Sequence, residues 1–252
     1  MSANVGFVAN SLAPLNAQEG LRWVALQFPD AVRFSSALGL EDQVITHLIG
    51  TEKLDIKIFT LDTGRLFQES YDLLDLTQRK YGIPIHTYFP EAAAVEKLVT
   101  EKGPNSFYES VANRKECCHI RKVEPLKRAL TGGSIWITGI RAEQSANRGQ
   151  MPLVEWDEAH QVIKYNPLLH WTEKEVIDFV DRNSIPVNTL HKKGYPSIGC
   201  APCTRAILPG EDFRAGRWWW ESSNKECGLH EHQTVNNKYV SVTKILSSRP
   251  GR

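Results

Sequence analysis

The 252-residue chain is 41% apolar and 23% charged, the balance of a soluble globular protein long enough to bury one large core. Its formal net charge of +1 excludes the broad positive field that gathers nucleic acid or an anionic membrane, so neither is an expected partner. No apolar run reaches bilayer-spanning length, and residues 1–20 lack a basic segment followed by an apolar one, so the expectation is a cytoplasmic protein.

In chain order, residues 20–28 read as an amphipathic helix stopped near Pro29, and residues 31–36 as a strand. The turn Ala37-Leu38-Gly39 leads into a helix over 40–49. A second strand, 56–61, ends in Asp62-Thr63-Gly64; a helix over 65–81 and a third strand over 83–89 follow. Residues 92–102 and 118–130 have helical character, and 134–140 reads as another strand. Such alternation predicts a doubly wound, mostly parallel α/β sheet. Beyond Arg141, two short strands at 153–156 and 162–165 read as an edge extension. Thr172 caps a helix whose first turn carries Glu173 and Glu175, and 184–210 reads as ordered loop. The division expected is an α/β domain over 1–217 and a C-terminal tail over 218–252.

Five cysteines stand in an uneven pattern: Cys117 and Cys118 adjacent, Cys200 and Cys203 as C-x-x-C, and Cys227 alone. Two pairs plus one single suggest a four-ligand centre and a free thiol. In a reducing compartment cysteines serve as ligands or catalysts more often than as disulfides. Zinc competes with an iron–sulfur cluster for the four-ligand reading. Adjacent cysteines suit a cluster better, because a cluster offers separate irons to neighbouring residues. A thioredoxin-type redox pair would leave Cys117 and Cys118 unexplained.

Cys227 lies among polar residues with Lys225 and His230 nearby, and reads either as a thiolate on a mobile tail or as an incidental surface thiol. Lowering a thiol pKa from about 8.5 to about 6.5 raises its thiolate fraction at pH 7 roughly 25-fold. Lost nucleophilicity takes back about 8-fold. A reactive Cys227 therefore needs help from cations placed around an anionic substrate.

Anion sites are legible at strand ends. Ser35-Ser36-Ala37-Leu38-Gly39 precedes a helix and offers hydroxyls and backbone N–H groups, without the G-K-[ST] element of a Walker loop. Leu61 and Gly64 flank the next strand end. Lys122 follows the vicinal cysteines by one helical turn, as does Arg121. Arg141 and Arg148 flank a loop after a strand, and Arg214 and Arg217 would share one face of a helix. Each alone reads as a solvated charge; their clustering beside strand ends and cysteines favours a site. Trp218-Trp219-Trp220 reads as packing or interface.

Taken together, S-S-x-x-G-x-E-D, L-D-T-G-R, C-C-x-I-R-K, C-x-x-C and K-E-C-G-L-H over residues 33–230 resemble the assimilatory sulfonucleotide reductases. Within them the chain is similar to the cluster-bearing type that acts on adenylyl sulfate (APS). The resemblance implies an adenine nucleotide α-hydrolase-like fold and a [4Fe–4S] cluster on Cys117, Cys118, Cys200 and Cys203. It implies Cys227 as the nucleophile and Lys122, Arg214, Arg217 and His230 around the sulfate, with Arg148 and Arg141 near phosphate. Ser35, Ser36, Gly39, Leu61 and Gly64 would hold the nucleotide. Thioredoxin or a glutaredoxin-like reductant is the implied partner, the 3′-phosphorylated nucleotide (PAPS) is the alternative substrate, and a homo-oligomer is left open. A cluster-dependent tRNA thiolation enzyme is the less favoured alternative, since the loop lacks the S-G-G-x-D-S form.

Overall fold

A computed structural model describes residues 5–144 and 148–221. Six strands form one sheet in the order β3-β2-β1-β4-β6-β5. They are β1 (Val32–Ser35), β2 (Lys57–Leu61), β3 (Ile85–Tyr88), β4 (Ile135–Ile137), β5 (Val154–Asp157) and β6 (Val162–Tyr165). All pairings are parallel except β5 against β6. The helices are α1 (Val5–Leu12), α2 (Ala17–Gln27), α3 (Leu40–Glu52), α4 (Gln68–Tyr81), α5 (Ala92–Lys102), α6 (Val111–Cys118), α7 (Glu124–Leu130) and α8 (Glu173–Arg182).

Alternation along the strands divides the sheet into two faces. Val32, Phe34, Ile58, Ile135, Ile137 and Ile163 point into the main core, against Val8 and Leu12 of α1, Leu21 and Val24 of α2, Val44 and Ile45 of α3, and Val176 of α8. Each such side chain contributes about 1.5–3 kcal/mol by leaving water. Phe59, Trp136 and Val162 face the other way, onto Leu126, Ala129 and Leu130 of α7. The result is the helix–sheet–helix layering of a doubly wound fold.

Several expected elements differ in detail. The two strands expected as an edge extension do extend the sheet beyond β4: β6 pairs with β4 and β5, and β5 forms that edge, with β3 at the other. Lys164 is buried in an ion pair with Glu155 (3.0 Å) and lies over the Trp136 ring. The helix expected over 118–130 is a π turn, His119–Val123, followed by α7, and it continues from α6, which begins at Val111 and was not expected. Pro125 sets that break: it has no N–H for a helix interior but suits the first turn of α7. α1 was not expected; its buried face is only Val8 and Leu12, too short a stripe to register as periodic. The segment from Trp218 to Glu221 packs into the domain, with Trp218 buried and its N–H donating to the Cys203 carbonyl (3.2 Å).

Candidate active site

Strand order reverses direction between β1 and β4, and the crevice at such a point, beyond the strands' carboxyl ends, is where open α/β sheets bind ligands. A cavity of about 250 Å³ lies there. Its walls include Ser35 through Asp42 after β1, Leu61 and Thr63 after β2, and Thr138 through Ile140 after β4. Trp136 Nε1 donates to Ser35 Oγ (2.8 Å), tying β4 to the end of β1. Ser36 N donates to the Phe59 carbonyl (2.8 Å), and Ser36 Oγ accepts from Leu38 N (3.2 Å).

Asp42 organises the loop from beneath. Its Oδ2 accepts from Ala37 N (2.8 Å) and Gly39 N (3.2 Å), so two loop amides are satisfied internally. The amides left to face a ligand are those of the first turn of α3, where backbone N–H groups have no helical partner. Burial and the neighbouring Glu41 carboxylate push the Asp42 carboxyl up to about 7, against the pull of the two amides. Gly139 makes room for it: a Cβ at that position would lie 2.2 Å from Asp42 Oδ1.

Four cations line this cavity, namely Lys122, Arg148, Arg214 and Arg217. Arg214 and Arg217 reach it from a turn, and the helix expected for them is absent. Asp212 Oδ1 takes the Arg214 N–H (2.8 Å), and Arg217 forms an antiparallel bridge with Thr204. That bridge fastens the arginine turn to the C-x-x-C loop. Arg217 lies flat on Gly199, where a Cβ would meet Nη2 at 2.3 Å, and its guanidinium covers the Trp218 ring at 4.7 Å.

Two expected binding residues stand elsewhere. Arg141 is buried in ion pairs with Glu41 (2.7 Å) and Glu143 (3.1 Å), outside the cavity wall, so its charge is spent beneath the loop. Gly64 is also outside the wall; its N–H donates to Asp62 Oδ1 (2.7 Å) in the turn after β2. Ser35, Ser36, Gly39 and Leu61 do line the cavity. Cys227 and His230 lie outside the described residues.

The other four cysteines converge from α6 and the C-x-x-C loop on a void of about 20 Å³, shared with Arg65, Phe107, Arg114, Arg121, Lys122 and Pro202. Ala201 N donates to the Arg65 carbonyl (2.8 Å) and Tyr108 OH to the Pro202 carbonyl (2.7 Å), which holds the loop over α6. Thr63 Oγ1 lies 3.2 Å from Cys200 Sγ, and Arg121 Nη1 donates to the Thr63 carbonyl (2.6 Å). Burial raises the thiol pKa of Cys117, and pushes that of Cys203 up to about 12. At Cys200 burial acts in the same direction, but Lys122, the Thr63 hydroxyl, Arg217 and Arg121 outweigh it and the pKa falls. Among the described residues no group of three or more His, Cys, Asp or Glu side chains is arranged to hold a metal ion. Cys200 and Lys122 belong to both walls, so the thiol void and the crevice adjoin.

Residues 31–206 match the family model described as the phosphoadenosine phosphosulfate reductase domain. The chain belongs to that family. Among relatives of this reductase family, an adenosine 5'-phosphosulfate reductase of Allochromatium vinosum is 53% identical over 205 residues, 81% of this chain and 80% of its own. One from Agrobacterium fabrum is 49% identical over 230 residues, 91% of this chain and 88% of its own. The crystal structure of a phosphoadenylyl-sulfate (PAPS) reductase from Candida auris, as a phosphate complex, superposes with a TM-score of 0.70 at 29% identity, over 82% of this chain and 99% of that one. Candida glabrata FMN adenylyltransferase shares the fold alone, with a TM-score of 0.52 at 15% identity over 85% of this chain and 76% of its own. The reductase fold is thus adenine nucleotide α-hydrolase-like.

Sequence reasoning missed Trp136, Gly139, His191 and Gly199, all in the cavity wall of this reductase. Gly139 and Gly199 carried a weak signal, since a glycine at a strand end or before a ligand loop marks a close approach. Trp136 and His191 carried none.

Proposed function

We propose that this protein reduces adenylyl sulfate to sulfite and AMP. The observation that supports it most is the shared wall: Lys122 and Cys200 border both the nucleotide crevice and the four-thiol void. In this reading residues 1–217 bind the nucleotide and a cluster, and residues 218–252 deliver Cys227.

The Cys227 thiolate attacks the sulfate sulfur, the S–O bond to the phosphate breaks, and AMP leaves with the bonding pair. A Cys227 thiosulfonate remains. A thiol of a cytoplasmic thioredoxin or glutaredoxin-like reductant then attacks Cys227 Sγ and expels sulfite. Its second thiol closes the reductant's own disulfide and frees Cys227. The reductant supplies both electrons. Lys122, Arg214 and Arg217 offset the repulsion between thiolate and sulfate, and Arg148 serves the phosphate. His230 would complete the sulfate site.

Cys117, Cys118, Cys200 and Cys203 would hold a [4Fe–4S] cluster. Four thiols around one void, ringed by Arg65, Arg114, Arg121 and Lys122, suit an anionic group with a separate iron for each neighbouring ligand. When bound it would supply fixed charge beside Lys122.

Protein purified without oxygen should carry iron and sulfide with a visible absorption band, and should release sulfite from APS only with thioredoxin present. Colourless, iron-free protein with full activity would sink the cluster assignment. Cys227→Ser should abolish sulfite release while AMP still binds. The likeness to a PAPS reductase supports a second reading, use of the 3′-phosphorylated nucleotide. Competing APS against PAPS in one reaction decides between them.

A further inference from the structure

His191 sits in a 3-10 turn, Thr189–Lys193, that leads into the loop carrying Gly199 and Cys200, and it lines the nucleotide crevice. Its Nδ1 lies 2.9 Å from the Tyr195 carbonyl oxygen. A carbonyl can only accept, so Nδ1 carries the hydrogen. Burial lowers the ring's pKa, opposed by the Tyr195 carbonyl and the Glu41 carboxylate, so the imidazole is neutral at pH 7. The remaining nitrogen, Nε2, is then a bare lone pair. It is buried and has no partner among the described residues. A buried acceptor without a partner is costly, and a ligand hydroxyl that satisfies it recovers part of that cost.

Around that lone pair the chemistry is one-sided. Glu41 shares the cavity wall and its charge acts on the imidazole; it too is an acceptor, although its Oε1 already takes the Arg141 Nε–H (2.7 Å). Such a corner binds O–H donors. The cations Lys122, Arg148, Arg214 and Arg217 supply the rest of the cavity's charge and suit the phosphosulfate. A nucleotide brings its neutral O–H donors on the ribose.

We infer that His191 Nε2 accepts a hydrogen bond from one ribose hydroxyl of the bound nucleotide, making His191 a determinant of ribonucleotide recognition. This rests on the reading of the crevice as a nucleotide site. The His191 side chain orients substrate; it transfers no proton.

Calorimetry on the cluster-loaded protein with AMP, 2′-deoxy-AMP and 3′-deoxy-AMP tests it. In the native protein, loss of one of the two hydroxyls should weaken binding about tenfold. His191→Asn keeps an N–H for the Tyr195 carbonyl and leaves no acceptor at the Nε2 position, its own oxygen lying nearer the backbone, so AMP and that deoxy analogue should bind it within about twofold. His191→Gln returns an acceptor near the Nε2 position and should restore part of the difference. On the native protein alone, the isotope-labelled Nε2 resonance of His191 should move with AMP and stay in place with the analogue lacking the donor. Equal binding of all three ligands by the native protein, an undiminished penalty in His191→Asn, or an Nε2 signal indifferent to AMP would overturn the inference. Failure of AMP to bind native protein would overturn the nucleotide reading itself, and the inference with it.

Discussion

Arg114 and Glu221 meet through two parallel contacts, Nε to Oε1 at 2.7 Å and Nη2 to Oε2 at 3.0 Å, with both side chains withdrawn from solvent. Arg114 lies on α6, one turn before Cys117 and Cys118, and its guanidinium also stacks on Trp218 at 4.8 Å. The fork therefore pins the last described turn to the helix that carries two of the four clustered thiols. Cys227 follows only six positions beyond Glu221.

Breaking this pair from one side takes a buried charge from its paired partner, which costs about 3–5 kcal/mol. Glu221→Gln and Arg114→Met should each lower the free energy of unfolding by that order, read from denaturant curves. The double variant Arg114→Met with Glu221→Leu should recover most of the loss, because two apolar side chains strand no charge. If the single changes cost less than about 1 kcal/mol, the fork is not the anchor its burial implies.

Asp42 gives the protein a pH dependence of definite sign. Its folded pKa is raised to about 7, above the value of a free aspartate. The folded state then holds a proton that the unfolded chain has already released, so this contribution is fully present below about pH 4 and is lost as pH rises through 7. Stability from this group should fall by on the order of 2 kcal/mol between pH 5 and pH 8. Asp42→Asn retains an amide oxygen for Ala37 N and Gly39 N but cannot ionise. Its denaturation midpoint should change less over that interval than that of the native protein. An identical pH profile in the two proteins would rule Asp42 out as the titrating group.

The sheet was legible because short apolar runs such as Lys57–Leu61 are local signals, and α8 because its caps at Thr172 and Glu175 are too. Convergence of the thiols was legible only as arithmetic on cysteines; the void that joins them depends on contacts between residues more than 80 positions apart, such as Cys117 and Cys200. Arg141 misled for a similar reason. Nothing in its neighbourhood of sequence announces that Glu41, a hundred positions earlier, takes its charge. Arg214 and Arg217 reached the cavity as expected, but through a turn fastened to Thr204 and not along a helix face. Glu41 and Asp42 show the limit most clearly: the same acidic pair that reads as a helix N-terminus also props the loop and holds Arg141.

Any side chain at Gly199 should displace Arg217, because its guanidinium occupies the space a Cβ needs. In Gly199→Ala the guanidinium must retreat from its seat between the cysteine loop and Trp218. A displacement near 1 Å at a charge-neutralising group costs about a hundredfold in rate. kcat/KM for APS should fall by that order, while the thermal midpoint moves by only a few degrees and iron content is unchanged. Full activity in Gly199→Ala would mean that Arg217 can serve the reaction from elsewhere.

Lys122 carries the sharpest expectation, because it borders both the crevice and the thiol void. A thiolate and a sulfate oxygen about 4 Å apart repel by about 4 kcal/mol at an effective dielectric near 20. Removing a cation that offsets most of this should slow the chemical step by about 10²–10³-fold. Lys122→Met should therefore lose that much in single-turnover thiosulfonate formation. Lys127→Met is the control: Lys127 is exposed and paired with Glu124 on the outer side of α7, and its loss should leave the rate unchanged. The loss in Lys122→Met should be larger in kcat than in AMP affinity, since AMP lacks the sulfate. If AMP binding weakens as much as the rate, Lys122 holds the nucleotide phosphate, and the charge facing the sulfate belongs to Arg214 and Arg217 alone.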